Sequence, residues 1–299
     1  MAAVIECVPN FSEGRRKEVV DSIVHSLRSV PGTKVLDVEM DPDHNRSVVT
    51  FTGTKDSVQE SAFRGARAAM ELIDLNKHTG EHPRMGALDV LPFVPISGAT
   101  MEDCIDIANK VGVRIAKHLK IPVYMYEAAA RRPERKNLEV VRRGQFEGLR
   151  EAILTDDSRY PDYGPRAVHP TAGAIAVGAR MPLIAFNVNL RSEDVEVAKA
   201  IAKKIRASSG GLPHVKALGF HLKDKGMVQV SMNLTDYTVT PISKVFGEVK
   251  KEADARGVEV AESEIIGLIP LDAVCDLAGR FLKVPNFASS QVLERRIWC

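Results

Sequence analysis

Apolar and polar positions repeat along the chain with periods that predict one element order, present twice. In the first half, the period-2 and period-3.6 runs predict, in chain order, a strand at 4–8, a helix at 15–27, strands at 34–39 and 47–52, a helix at 56–75 and a strand at 88–94. A helix at 101–119 and a strand at 123–126 follow. The first half therefore begins with the order βαββαβ.

The second half repeats this order without an obvious repeat of the sequence. The pattern predicts a strand at 183–190, a helix with Val197, Ile201 and Ile205 on one face, strands at 215–222 and 227–234, a helix containing Ile242, Val245, Phe246, Val249 and Ala253, and a strand at 264–269. We predict an α+β protein of two ferredoxin-like (βαββαβ) subdomains, 1–178 and 179–299, each a mainly antiparallel sheet with helices on one face. A ligand cleft is expected between them.

Composition narrows the class of protein. The chain of 299 residues is 44% apolar, enough for an ample core, and its net charge of +2 argues against a nucleic-acid-binding surface. No uncharged apolar run approaches the 18 or more residues of a membrane span, and no secretory leader is evident, so we expect a cytoplasmic protein without membrane contact. The four cysteines show no C-x-x-C spacing, which fits free thiols in a reducing compartment.

The densest group of reactive side chains is the segment His78-Thr79-Gly80-Glu81-His82-Pro83-Arg84-Met85-Gly86-Ala87-Leu88-Asp89. Its H-x-x-E-H spacing matches that of inverted zinc peptidases, which need a helix to bring both imidazoles to one metal. Gly80 weakens a helix and Pro83 disfavours a helical conformation at His82. We therefore predict a turn and no metal.

An imidazole on a rigid turn beside carboxylates suits general acid–base catalysis, because its ordinary pKa of about 6.5 lies near neutrality. The alternative is that His78 and His82 only satisfy backbone groups of the turn.

Four separated segments resemble the glutamate formiminotransferase family in matching order. They are Val8-Pro9-Asn10-Phe11-Ser12-Glu13-Gly14, His78 through Asp89, Pro122-Val123-Tyr124-Met125-Tyr126 and Ile184-Ala185-Phe186-Asn187-Val188-Asn189-Leu190. The resemblance implies a stand-alone cytoplasmic transferase, without the cyclodeaminase domain of fused members, that moves a formimino group between N-formimino-L-glutamate and N5 of tetrahydrofolate. It also implies a homodimer with folate and L-glutamate or N-formiminoglutamate as small-molecule partners.

The resemblance makes His82 the general acid/base. Glu39 and Glu81 are the candidate carboxylates beside it, and Glu39 stands where the family usually has Asp. Arg46 and Arg84 are predicted to bind the substrate carboxylates, because the planar guanidinium binds a carboxylate bidentately, although each could be a structural ion pair. Asn10 and Asn45 are assigned to substrate binding with them.

The resemblance also assigns folate contact to one loop. Its members are Gly164, Pro165, Arg166, Ala167, Val168, His169, Pro170, Thr171, Ala172 and Gly173. Arg166 and His169 could meet an anionic glutamate tail, and the alternative is an ordinary linker. Gly173 and Gly178 have P-loop spacing, but the following Lys-Ser/Thr pair is missing, so we do not predict nucleotide binding.

Two other functions stay open on sequence grounds. One is a relative that processes 5-formyltetrahydrofolate, and the other is a non-catalytic folate-binding protein. Gln229, Ser231 and Asn233 alternate with apolar residues and are predicted on one side of a strand, either facing solvent or binding a ligand.

Overall fold

The computed structural model describes residues 3–298 and divides the chain into two compact units, Met1–Arg180 and Met181–Cys299. A boundary after residue 178, as expected from the sequence, would cut the strand Ile175–Ala179. The division therefore falls two residues later. None of the helices described is long and apolar enough to cross a membrane.

The first unit contains seven strands and five α-helices among its described residues. In chain order they are β1 (Val4–Cys7), β2 (Asn10–Phe11), α1 (Lys17–Arg28), β3 (Lys34–Asp41), β4 (Arg46–Gly53), α2 (Lys55–Leu72), β5 (Leu88–Ser97), α3 (Met101–Leu119), β6 (Val123–Glu127), α4 (Leu138–Val141), α5 (Gln145–Thr155) and β7 (Ile175–Ala179).

The predicted βαββαβ order is confirmed in this unit. β5 pairs with β1, β1 with β4 and β4 with β3, all antiparallel, which is the strand order of a ferredoxin-like sheet. The short strand β2 continues the position of β1 between β4 and β5. Helix α1 buries Val19, Ile23 and Leu27 at helical spacing, and the side chain of Thr54 caps the start of α2.

An extension widens this sheet by two strands, of which β6 was predicted at 123–126 and β7 was not. β7 lies between β5 and β6 and is parallel to both. All five residues of β7 are buried, so the strand lacks the apolar–polar alternation by which a half-exposed strand is recognised. The glycines that resembled a P-loop serve packing here: a Cβ at Gly178 would lie 2.6 Å from the ring of Tyr126.

Helices cover both faces of the extended sheet, whereas one covered face was expected. α1, α2 and α3 pack on one face around Ile23, Ala62 and Val111. On the other face, Val141 of α4 and Leu149 and Ile153 of α5 belong to a second apolar cluster with Tyr124 and Tyr126 of β6. The extension therefore places a short helical layer next to the part of the sheet that contains β5.

The second unit is a complete βαββαβ fold followed by helices. Its elements are β8 (Ile184–Leu190), α6 (Val195–Ile205), β9 (Val215–Leu222), β10 (Met227–Leu234), α7 (Ile242–Asp254), β11 (Val260–Ile266), α8 (Leu271–Leu282) and α9 (Leu293–Trp298). The strand order β11-β8-β10-β9 is antiparallel throughout, as is the βαββαβ core of the first unit without its extension. The last strand was predicted at 264–269 and lies earlier, and α8 was not predicted.

Candidate active site

The segment that contains His82 is a turn, as predicted, because no helix or regular strand covers residues 78–85. It packs against the connection between β3 and β4. A Cβ at Gly80 would lie 2.4 Å from the carbonyl oxygen of His44 and 2.8 Å from the Cβ of Asn45. Glycine is therefore required for this close approach.

Asn45 holds two loops together at this point. Its backbone is left-handed, with φ of 47°, its Oδ1 accepts a hydrogen bond from the backbone N–H of Gly14 at 2.9 Å, and its Nδ2 donates to the carbonyl of Thr79 at 2.9 Å. Asn45 was expected at the substrate. The structure shows its amide group engaged within the protein.

His78 has both ring nitrogens engaged. The Nε of Arg84 donates to its Nδ1 at 3.1 Å, so the imidazole carries its proton on Nε2, which donates to the carbonyl of Asn45 at 2.9 Å. Burial is the largest cause that lowers the pKa of His78, and Arg84 adds to it. This imidazole satisfies a backbone group, which was the alternative considered for it.

Arg84 also binds Glu147 of α5. Its Nη1 and Nη2 donate to the two carboxylate oxygens at 2.8 and 2.7 Å. The side chain of Arg84 is only 9% exposed, and its pairing is the structural ion pair that was the alternative to substrate binding. The turn is thereby attached to the extension of the sheet.

His82 differs from His78 because its Nε2 is buried and has no hydrogen-bond partner. Burial is the main cause that lowers the pKa of His82 to about 3, followed by the positive charges of Arg46 and Arg142. The ring of His44 lies edge-on at a centroid distance of 6.4 Å. The structure therefore presents a neutral imidazole at neutral pH, with one nitrogen unbonded.

The two guanidinium groups near His82 come from different parts of the first unit. Arg46, at the start of β4, donates through Nη1 to the Oδ1 of Asn10 at 3.1 Å. Arg142, directly after α4, donates through Nη2 to the Oδ2 of Asp89 at 2.5 Å. Arg142 was missed by the sequence analysis, because it lies outside the four matching segments and 53 residues from Asp89.

The carboxylates are arranged differently from expectation. Asp41 was not a candidate. Its negative charge raises the pKa of His82, and its carboxylate accepts a hydrogen bond from the ring of His44 at 2.6 Å. Glu39 lies on β3 opposite Val48, and its negative charge raises the pKa of Arg46. Glu81 is exposed. The signal that could have identified Asp41 is its position in the turn Asp41-Pro42-Asp43-His44 directly before Asn45 and Arg46.

The loop 164–173 is joined to the segment of His82 by backbone hydrogen bonds. Leu75 donates to the carbonyl of Thr171, Ala87 to that of Ala172, and Ala174 to that of Met85, each at 2.9 Å. The structure thus brings together two regions that are far apart in sequence and that were assigned to catalysis and folate contact.

Within this loop, several side chains have structural partners. Arg166 donates to the carbonyls of Ile153 and Leu154 at the end of α5, and His169 accepts through Nδ1 from the backbone N–H of Ala172 at 3.0 Å. Gly173 has φ of 70° and lies against the carbonyl of Met85. Gly164, Pro165, Ala167 and Pro170 are exposed.

Across residues 3–298, no group of three or more His, Cys, Asp or Glu side chains is arranged to hold a metal ion. The site combines the neutral imidazole of His82 with the guanidinium groups of Arg46 and Arg142. This combination suits proton transfer on an anionic substrate.

Comparisons with known proteins agree with this fold. The model of the formiminotransferase domain, N-terminal subdomain, matches residues 4–180, and the formiminotransferase domain model matches residues 185–294. The chain belongs to the formiminotransferase family.

Its relatives include proteins of similar length and longer ones. The chain is 49% identical to the glutamate formimidoyltransferase of Streptococcus pyogenes serotype M1, covering 99% of both chains. It is 48% identical to that of Thermoplasma acidophilum, covering 99% of this chain and 97% of the relative. The formimidoyltransferase-cyclodeaminase of Mus musculus is 44% identical over 93% of this chain, which spans 52% of that protein.

Proposed function

We propose that the protein is a glutamate formimidoyltransferase that transfers the formimino group between N-formimino-L-glutamate and N5 of tetrahydrofolate, the reaction of histidine degradation. The observation that carries this proposal is the buried, unbonded Nε2 of His82 in a neutral imidazole. Family membership and near full-length identity to proteins of that name support the substrate class.

The chemistry is the attack of an amine on an amidine carbon. N5 of tetrahydrofolate forms a bond to the formimino carbon and gives its proton to Nε2 of His82. The tetrahedral intermediate then takes that proton on the glutamate nitrogen, the C–N bond to glutamate breaks, and L-glutamate leaves with the bonding pair. A positioned imidazole that takes and returns one proton contributes about 10²–10⁴ in rate.

The other groups have positioning roles in this proposal. Arg46 faces a substrate carboxylate, and Asn10 holds the Arg46 side chain through its Oδ1. Glu39 favours the charged form of Arg46 and Asp41 favours the protonated form of His82, while Glu81 precedes His82 in the sequence. The loop 164–173 contacts folate next to the turn to which its backbone is bonded.

The test is to mix the purified protein with tetrahydrofolate and N-formimino-L-glutamate and to follow 5-formiminotetrahydrofolate. We expect product with the wild type and a rate about 10²–10⁴ lower with His82→Ala. His25→Ala, which changes an exposed histidine of α1, is the matched control and should keep the wild-type rate. Absence of product with the wild type, or an unchanged rate with His82→Ala, would contradict the proposal.

The same assay separates the two alternative functions. A parallel reaction with 5-formyltetrahydrofolate and glutamate reports a preference for the formyl group. Folate binding without any product would indicate a non-catalytic protein.

A further inference from the structure

Arg142 combines burial with incomplete hydrogen bonding. Its side chain is 15% exposed, one terminal nitrogen donates to Asp89, and its Nε is buried without a hydrogen-bond partner. Buried N–H groups of charged side chains are normally bonded, so an unbonded one needs an explanation. Asp89 accepts from Arg142 at Oδ2 and from the backbone N–H of Met85 at Oδ1, at 2.7 Å, and neither oxygen bonds to the Nε of Arg142.

Arg46 is the second cation of this site, and its pKa is lowered although carboxylates act on it. Burial lowers the pKa of Arg46, and Arg142 is the next largest cause. Its side chain donates to the neutral amide of Asn10, and the carboxylates of Asp41, Asp89 and Glu39 oppose the lowering of its pKa without outweighing it. The two guanidinium groups thus repel each other, and both disfavour protonation of His82, whose Nε2 is buried without a hydrogen-bond partner.

We propose that Arg142 is a substrate-binding residue, which together with Arg46 binds one carboxylate of the glutamate part of the substrate next to His82. This inference rests on the proposed function and assigns a residue to it. A carboxylate has two oxygens and about four lone-pair sites, so it can accept from Nε of Arg142 and from the guanidinium of Arg46 at once. It would also reduce the repulsion between the two guanidinium groups.

A carboxylate bound by these arginines would also raise the pKa of His82. The charged or titratable groups that face His82 are Arg46 of β4, Arg142 after α4, and Asp41 and His44 between β3 and β4. The two arginines disfavour protonation of His82. A bound carboxylate cancels their field, so His82 becomes a stronger base when the substrate is present than in the free protein.

The direct test follows L-glutamate binding and His82 by NMR. Wild-type protein, Arg142→Gln and Arg142→Lys are titrated with L-glutamate, and the Cε1–H signal of His82 gives its pKa with and without the ligand. Arg143→Gln, an exposed arginine next in sequence, is the matched control. Neither the L-glutamate titration nor the pKa of His82 requires turnover. Both therefore test this inference even if the formimino-transfer assay gives no product.

We expect Arg142→Gln to weaken L-glutamate binding about 10- to 100-fold, the usual range for losing a hydrogen bond to a charged group. The pKa of His82 should rise in the free Arg142→Gln variant, and its response to L-glutamate should shrink. Arg142→Lys keeps the charge beside Asp89 but lacks the Nε–H, so it should bind L-glutamate weakly while folding normally. If Arg142→Gln does not fold, Arg142→Lys alone decides the test.

Equal L-glutamate affinity in wild type and Arg142→Lys would overturn the proposal. So would a pKa of His82 that does not respond to L-glutamate in the wild type. In the transfer assay, a supporting result is a raised KM for N-formimino-L-glutamate with Arg142→Lys, and no change with Arg143→Gln.

Discussion

The polar groups on the second sheet and those around His82 differ in how completely they are bonded. In the second unit, Gln229 donates through Nε2 to Asn189 and to Glu264, both at 2.9 Å, and Asn187 donates to Glu264 at 3.0 Å. Asn189 in turn donates to Glu262 at 3.0 Å. These side chains stabilise one another on one face of the sheet.

Around His82, by contrast, buried polar groups lack hydrogen-bond partners. The Nε2 of His82 and the Nε of Arg142 are buried without hydrogen-bond partners, and the positive charge of Arg142 lowers the pKa of Arg46. Both units contain the same βαββαβ strand order, so strand order alone does not produce the difference. It comes from His82 and Arg46 in the core of the first unit together with the extension, which contributes Arg142, Glu147 and the loop 164–173. Unbonded buried groups therefore distinguish the candidate site from a polar face that supports structure.

The largest effect is expected where the extension meets the core of the first unit. A Cβ at Gly86 would lie 2.0 Å from the carbonyl oxygen of Ala174, so Gly86→Val must displace the backbone that joins the loop to the turn. We expect it to lower the free energy of unfolding by about 3 kcal/mol or more, measured by urea denaturation.

Gly148→Ala is the matched control for this change. Gly148 lies in α5 and a Cβ there would meet nothing within 4 Å. We expect a gain of about 0.5–1 kcal/mol from the higher helix propensity of alanine. Equal effects of the two substitutions would mean that the close approach at Gly86 does not hold the extension in place.

The next effect concerns the pH dependence that His82 imposes on stability. Its pKa is about 3 in the folded protein, against an ordinary value of 6.5, so the unfolded chain binds the proton first as the pH falls. The stabilising contribution is complete above pH 6.5 and decreases below it by at most about 1.4 kcal/mol per pH unit.

Denaturation at pH 7.5 and pH 5.0 measures this contribution. Wild type should lose up to about 2 kcal/mol more than His82→Gln between these conditions. A loss of the same size in both proteins would show that His82 takes up its proton in the folded state near its ordinary pKa.

The smallest effect is expected on the bonded face of the second unit. Gln229→Ala removes two donated hydrogen bonds, and we expect a loss of about 1–2 kcal/mol in unfolding free energy. The rate of formimino transfer should change much less than with His82→Ala. The control is Asn233→Ala on the same strand, which is exposed and should alter neither quantity. A loss of transfer activity in Gln229→Ala comparable to that of His82→Ala would make this face part of the catalytic site.

Much of the fold could be predicted from local patterns. Both βαββαβ units follow from period-2 and period-3.6 runs, and the turn at His82 follows from Gly80 and Pro83, because these residues restrict the backbone whatever surrounds them. β7 was missed since a short strand buried on both faces has no alternation. Its glycines resembled a phosphate loop, although Gly178 is required by the ring of Tyr126.

The candidate site was predicted less completely than the fold. His82 was correctly placed on its turn, but nothing in its neighbourhood along the chain distinguishes it from His78 four residues earlier. The difference lies in partners that are distant in sequence. Arg84 and Asn45 engage both nitrogens of His78, while the Nε2 of His82 has no partner and the charges of Arg46 and Arg142 disfavour its protonation.

The sequence by itself determined the two βαββαβ units, the non-helical turn and the family, because periodicity and backbone restriction act over a few residues and the matching segments are read directly. Only the tertiary structure decided which imidazole has an unbonded nitrogen, which arginine forms an ion pair with Glu147 and which arginines act on His82. Those outcomes depend on burial and on charges brought together from β4, α4 and β5, and the electrostatic energy of a group is set by neighbours in space.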